Sequence, residues 1–391
     1  MLLLLCGAPC VLVGGLVAFL GVDAVKNEAI AYSWMAKMLK TLATDPVVRT
    51  KTSVTAFFTG FVGIAVHELF TKSQCRTCEQ VVEEVCGKGN SAGLHGKVAI
   101  ITGASNGLGL ENARCMMKYG CHVIWAVRSP DKAEAVLTKL EATEMKEGKW
   151  QGKATILKIE LSDLTTIKPF VEKFLALDLP LHYLICNAGI MSPTEWIPSK
   201  QNFESMFATN NLSHFLLAEL LMPKLRETAK KYKEARLVIL SSLAGAACSG
   251  IDPAKIPCPK EDYDEFAEYA VSKAVDCLHA RHALKHYGKD GIVACAVHPG
   301  IIGTSLGAGN AGLTSLLYSG FTMAAFRKPV SMGSATTMYC ALSPEVTDHA
   351  KEGKFFYYNC GPQKPRNIMG CADDLVERCH ERQLEVVKPY M

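Results

Sequence analysis

The sequence predicts an α/β fold, a doubly wound parallel sheet with helices on both faces. Three observations predict it. Short apolar strand-like segments alternate with helical ones, and a glycine-rich turn joins the first strand to the first helix. A polar, glycine-rich stretch at 87–93 divides this alternating region from an apolar amino terminus.

Composition sets the outer limits. Of 391 residues, 49% are hydrophobic and 20% charged, which fits one large domain with an appendage and argues against a disordered chain. The net charge is +4 with no dense block of Lys and Arg, which argues against a nucleic-acid partner. The 16 cysteines are scattered, and Cys121, Cys186, Cys295 and Cys340 sit in apolar runs where a thiol behaves as a small buried hydrophobe. Cys75 and Cys78, with Cys86 following, lack a fourth ligand and a redox context. The reading is therefore reduced structural cysteines in a cytosol-facing protein, with no metal site.

Residues 1–22 carry no charged side chain, and a membrane span needs about 20 such residues. They read as an uncleaved anchor that would hold the chain to membrane lipid. Beyond it Lys26, Lys37, Lys40, Arg49 and Lys51 outnumber Asp23, Glu28 and Asp45, which predicts a cytosolic flank. Residues 23–92 form a helical or interfacial linker. Within them 53–66 are short for a span and read as a packed or interfacial helix, with a second span as the alternative. The expected location is the endoplasmic reticulum membrane, with the mitochondrial membrane or a lipid droplet as alternatives.

The globular domain is read at 93–361. Strands are predicted at 98–101, 122–127, 155–159, 183–186, 237–240 and 292–297, each a short apolar run. Gly120 stops a helix at 108–119, and Ser129 with Pro130 opens another. The tail, 362–391, contains a final helix at 371–387 that packs either on the domain or on a partner in a homodimer.

The first strand runs into Thr102, Gly103, Ala104, Ser105, Asn106, Gly107, Leu108 and Gly109, and a helix follows. Glycines let backbone approach a pyrophosphate, and the helix amino terminus offers free N–H donors, so this is a Rossmann-type dinucleotide site. Arg128 ends the next strand, where an NAD site usually carries an acid. A guanidinium there would pair with the 2′-phosphate of NADP(H), with Ser105 and Ser129 as further donors.

Tyr269 and Lys273 share one helical face. A phenol near pKa 10 is a poor acid–base catalyst at neutral pH, and an adjacent ammonium lowers its pKa. With the glycine loop, Asn187-Ala188-Gly189, Asn210, Ser241-Ser242, Tyr269 to Lys273 and His298-Pro299-Gly300 in that order, the sequence resembles the short-chain dehydrogenase/reductase family over 96–361. The resemblance implies that Tyr269 is the proton donor and acceptor, and that Lys273 lowers its pKa and binds the nicotinamide ribose. Ser242 would bond the substrate oxygen, and Asn210 would hold a water of the proton relay. The cofactor contacts it implies, besides Tyr269 and Lys273, start with Gly103, Ser105, Asn106, Gly107, Leu108 and Gly109. Arg128, Glu160, Leu161, Asn187, Ala188 and Gly189 follow, then Pro299, Gly300, Ile302 and Thr304. Cys186, Glu160-Leu161 and Gly303 depart from the family pattern. The long segment 247–268 and the run 211–217 resemble the retinol dehydrogenase and WW domain-containing oxidoreductase branch.

After Thr304 come Leu306, Leu313, Leu316, Leu317, Tyr318, Phe321, Met323 and Phe326. An apolar cover suits a lipophilic alcohol or carbonyl compound of the retinoid, steroid or fatty aldehyde class. The expectation is an NADP(H)-dependent oxidoreductase, with a Rossmann-fold interaction or redox-sensing scaffold as the alternative. Asn211 opens a glycosylation sequon, and its place beside Asn210 predicts that it is buried and unused.

Overall fold

In the computed structural model, residues 75–145, 150–191, 195–248, 250–302 and 327–391 are described. The expected anchor at 1–22, the patch at 53–66, Gly303, Thr304 and the apolar cover at 306–326 lie outside them. No helix among the described residues is long and apolar enough to cross a membrane.

The sheet contains β1 (Val98–Thr102), β2 (His122–Val127), β3 (Lys153–Lys158), β4 (Tyr183–Cys186), β5 (Ala235–Leu240), β6 (Ile292–His298), β7 (Phe356–Tyr358) and β8 (Gly361–Pro362). Their order is β3-β2-β1-β4-β5-β6-β7-β8, parallel except for the antiparallel β7–β8 pair. Ile100 of β1 stands beside Ile124 of β2 and Leu184 of β4. The chain reverses its winding between β1 and β4, so their carboxyl ends open a crevice for a ligand.

Strand pleating divides the apolar residues between two cores. Val98, Ile100, Ile124 and Leu184 face one side with Phe170, Phe215 and Leu278. Ala99, Ile101, Val123 and Trp125 face the other with Val81, Met116 and Met338. The first side is covered by the helices α4 (Ile167–Leu175), α5 (Ser213–Tyr232), α6 (Glu265–Tyr287) and α9 (Asp373–Val387). The second is covered by α1 (Cys78–Cys86), α2 (Gly107–Lys118), α3 (Pro130–Leu140) and α7 (Val330–Leu342), with α8 (Pro344–Lys351) following. Each fully buried large apolar side chain contributes about 1.5–3 kcal/mol.

Several boundaries move. Asn106 caps α2 through the Gly107 N–H, so the helix starts at Gly107, one residue earlier than expected. β3 is an edge strand bounded by exposed Lys153 and Lys158, and its register against β2 starts at Lys153 rather than 155. Packing also extends the globular unit upstream of 93. Thr77 and Gln80 form a capping box for α1, whose Cys78, Val81 and Val82 are buried in the second core. The tail is settled too, because Val376, Cys379 and Val387 of α9 enter the first core of their own chain.

Candidate active site

Thr102 ties the crevice together. Its Oγ1 accepts from the N–H groups of Asn187 (2.8 Å) and Ala188 (3.0 Å) and pairs with His214 Nε2 at 2.8 Å, and its carbonyl accepts from Asn187 Nδ2 at 2.8 Å. The loop after β1 is thereby held against the loop after β4. Gly103 has φ +69°, and a Cβ on Gly109 would lie 2.4 Å from Gly103 O and 2.5 Å from Asn187 Nδ2. Only glycine lets α2 begin this close to both loops. Asn187 Oδ1 is buried with no hydrogen-bond partner among the described residues, an unused acceptor beside the glycine loop. Ser105 is half-buried at the same turn. This cradle fits a dinucleotide: short-side-chain backbone, a helix amino terminus and a spare polar atom converge at the switch point.

Arg128 directly follows β2 with its side chain 81% exposed, and its Nε stands 4.0 Å from Glu160 Oε2. The other Glu160 oxygen accepts from Ser162 N–H and Oγ, and Leu161 is buried. An exposed pair at this separation contributes little and yields readily to a phosphate. Ser129 caps α3 without a side-chain capping bond. Pro299 and Gly300 follow β6, where Gly300 has φ +96°. Ile302 bridges to Lys328, and it and Leu108 both press on Gly333, where a Cβ would meet Ile302 Cδ1 at 2.5 Å and Leu108 Cδ2 at 2.9 Å. Gly333 thus lets α7 close over the glycine loop, a role that no motif announced.

Asn210 lies in a π-helical turn, Ala208–Leu212, that feeds α5. Its Oδ1 accepts from Ile190 N–H at 2.8 Å and its Nδ2 donates to Ile190 O at 2.9 Å, so it holds the loop after β4 through both ends of its amide. Gly189 sits directly against it, with a built Cβ 3.2 Å from Asn210 Oδ1 and 3.9 Å from Lys273 Nζ. Ser242 follows β5, and its Oγ accepts from Ala244 N–H at 3.1 Å. Ser241 Oγ donates to Lys273 O at 2.6 Å, and a Cβ on Gly245 would lie 2.9 Å from Ala274 N, a closeness that glycine permits. The loop after β5 is thereby pressed onto α6. That contact brings Ser242 near enough to Tyr269 for its hydroxyl to act on the phenol. Tyr269 is 7% and Lys273 6% exposed.

The electrostatics differ from expectation. Burial pushes the Tyr269 phenol up to about 12, Ser242 pulls it down, and the Asp276 carboxylate pushes it further up. The ammonium expected to lower it is engaged elsewhere: Lys273 Nζ donates to Leu240 O at 2.8 Å and to Asp276 Oδ2 at 2.9 Å. Burial raises the Asp276 carboxyl against the pull of Lys273. Asn211 Nδ2 donates to Asp276 at 2.9 Å, and Gln383 of α9 donates to Asn211 Oδ1 at 2.6 Å. The chain Lys273–Asp276–Asn211–Gln383 was missed in the sequence, although a lone Asp among Ala274, Val275, Cys277 and Leu278 was its signal. Asn211 is fully buried and committed at both ends of its amide, as its place beside Asn210 predicted. Removing the negative charge with Asp276→Asn is expected to ease ionisation of Tyr269, moving the alkaline limb of the oxidation pH–rate profile to lower pH. An unmoved limb would show that Asp276 does not reach the phenol.

The cysteines at 75, 78 and 86 do not converge. Cys75 donates to Asn359 Oδ1 at 3.5 Å, Cys78 faces Glu111 O at 3.9 Å, and Cys86 lies against Gly93. All the described cysteines are free thiols.

A family model for short chain dehydrogenase matches residues 97–254. The chain belongs to the short-chain dehydrogenase/reductase family of oxidoreductases. Within it the chain falls in the branch of the retinol dehydrogenases and WW domain-containing oxidoreductase. It is 35% identical to retinol dehydrogenase 12 of Mus musculus over 67% of this chain and 78% of the relative. It is 35% identical to short-chain dehydrogenase TIC 32 A, chloroplastic, of Brassica napus over 69% and 82%. It is 33% identical to WW domain-containing oxidoreductase of Danio rerio over 68% of this chain, and spans 64% of that relative's length. The fold is shared with an uncharacterized protein from Mycobacterium paratuberculosis (TM-score 0.57, 24% identity, 75% of this chain and 94% of that one). It is also shared with the Pseudomonas aeruginosa RhlG/NADP complex (TM-score 0.51, 20% identity, 66% and 93%).

Proposed function

We propose that this chain is an NADP(H)-dependent oxidoreductase of a lipophilic alcohol or carbonyl compound, with Tyr269 as its acid–base group. The observation that carries the reading is the approach of Ser242, which follows β5, to the buried Tyr269 phenol on the helix of Lys273, at the carboxyl end of the sheet. Two hydroxyls converging there polarise one substrate oxygen, and the phenol moves the proton.

Gly103, Gly107, Gly109 and the amino terminus of α2 would hold the pyrophosphate, and Arg128 with Ser129 the 2′-phosphate. Bound in that cradle, NADP(H) supplies or accepts the hydride. In reduction Tyr269 gives its proton to the developing alkoxide while Ser242 donates to the same oxygen. In oxidation the phenol must first ionise, so the rate rises with pH through the raised phenol pKa. Lys273 is held by Leu240 O and Asp276, which fixes its ammonium near Gly189.

The substrate class rests on the apolar run 306–326 and on a relative whose name specifies retinol. The uncharged residues 1–22 would place the site at a membrane, that of the endoplasmic reticulum with the domain facing the cytosol. Alkaline extraction of membranes tests this: retention in the pellet supports it, and release contradicts it.

A screen of retinoids, steroids and fatty aldehydes with NADPH and NADH tests the activity. The expected result is turnover with a preference for NADPH, which Arg128→Ala lowers about 10- to 100-fold through loss of a charge-assisted contact. A large preference for NADH overturns the cofactor assignment.

A further inference from the structure

We propose that His282, His286 and Glu377 form a zinc-binding site that fastens the carboxy-terminal helix α9 to α6. The two histidines are one helical turn apart on α6, so their rings project from the same face toward Glu377 of α9. Glu377 Oε2 lies 3.2 Å from His282 Nε2 and 3.1 Å from His286 Nε2, and the three ligand atoms lie within 4.8 Å of one another. A tetrahedral zinc about 2.0–2.1 Å from each ligand needs ligand-to-ligand separations of roughly 3.3 Å. The two measured edges fit that figure with small adjustments.

The donor set is also right. Two imidazoles and one carboxylate bind zinc through three protein ligands and leave a fourth position for water.

His380, three residues beyond Glu377, stacks on His282 with ring centroids 3.5 Å apart and holds that ring in orientation. The Nδ1 atoms of both rings are buried without a hydrogen-bond partner among the described residues, so the cluster carries uncommitted nitrogen. Lys285 is the competing cation. Its Nζ lies 3.0 Å from Glu377 Oε1, the oxygen opposite the one nearest His282, and 3.0 Å from Asp373 Oδ2, where it would remain. The half-exposed His286 leaves the site open for ion entry.

The site is separate from the proposed catalytic groups and is read without turnover. Titrating the purified full-length chain with zinc chloride by calorimetry, with thermal unfolding alongside, tests it. The expected result is a site whose filling raises Tm. His286→Ala and Glu377→Gln should each weaken it by at least about tenfold and abolish the zinc-dependent rise. Both residues lie at the surface, and the zinc-free Tm of each variant reports whether it folds. Lys285→Ala is the discriminating variant: zinc should bind more tightly, whereas a helix contact held only by ion pairs would simply weaken. No zinc-dependent change overturns the proposal. So does unchanged binding in the His286 and Glu377 variants, which would place the ion on cysteines, or weaker binding in Lys285→Ala.

Discussion

Tyr269→Phe is expected to lower kcat/KM roughly 10²- to 10⁴-fold while NADPH affinity stays within a few-fold of wild type. The substitution deletes one oxygen from a buried ring and keeps its packing against Met191, Met206 and Phe266. What it removes, on the proposed mechanism, is the proton that would neutralise the developing alkoxide and the hydroxyl that faces Ser242. Binding energy from the glycine cradle is left in place, so the loss should fall on kcat. Steady-state kinetics with a nucleotide titration separates the two. A variant with near-normal kcat would remove Tyr269 from the chemistry.

Lys273→Met is expected to cost about 3–5 kcal/mol of stability in addition to activity, because it leaves Asp276 buried without its counter-charge. Asp276 is 1% exposed, and once the ammonium is gone the Asn211 amide is its remaining side-chain donor among the described residues. Replacing both members, Lys273→Met with Asp276→Leu, should recover most of the stability, since an apolar pair of similar volume is often neutral or better in such a position. Activity should not return. Denaturant unfolding of the two variants, read beside their kinetics, divides the structural role of the pair from its chemical one. A single variant as stable as wild type would mean that the pair is not buried in solution.

Much of the frame was legible because its signals are local. Apolar runs such as Val98–Thr102 and His122–Val127 must be strands buried on both faces, and a glycine turn between strand and helix has few other uses. The convergence of Ser242 and Tyr269 followed from the order of the motifs. Less legible was whatever depends on distance in sequence. Helix α1 carries Glu79, Glu83 and Glu84 and reads as linker, yet its narrow apolar side completes a core against α7. β7 and β8 are too short to leave a pattern. The raised phenol pKa was missed because the spacing of Tyr269 and Lys273 reveals the ammonium but neither the burial nor the carboxylate of Asp276 that occupies it. Gly245 matters for the α6 backbone it lets approach and Gly333 for the Ile302 and Leu108 side chains it admits, which one stretch of sequence does not display.

The same distance effect ties α9 to the site. Gln383 reaches Asn211, Asn211 reaches Asp276, and Asp276 holds Lys273. A change in how α9 docks would thus be felt at the group beside the proposed proton donor, through a continuous set of bonds.

Following a deuterium label tests hydride transfer at this site most directly. Purified protein is supplied with NADPH labelled at the nicotinamide carbon that carries the hydride, and with a panel of lipophilic aldehydes and ketones, and the products are weighed. Deuterium on the carbinol carbon of at least one product, absent with Tyr269→Phe, is the result expected. NADPH bound tightly with no labelled alcohol from any member of the panel would contradict it.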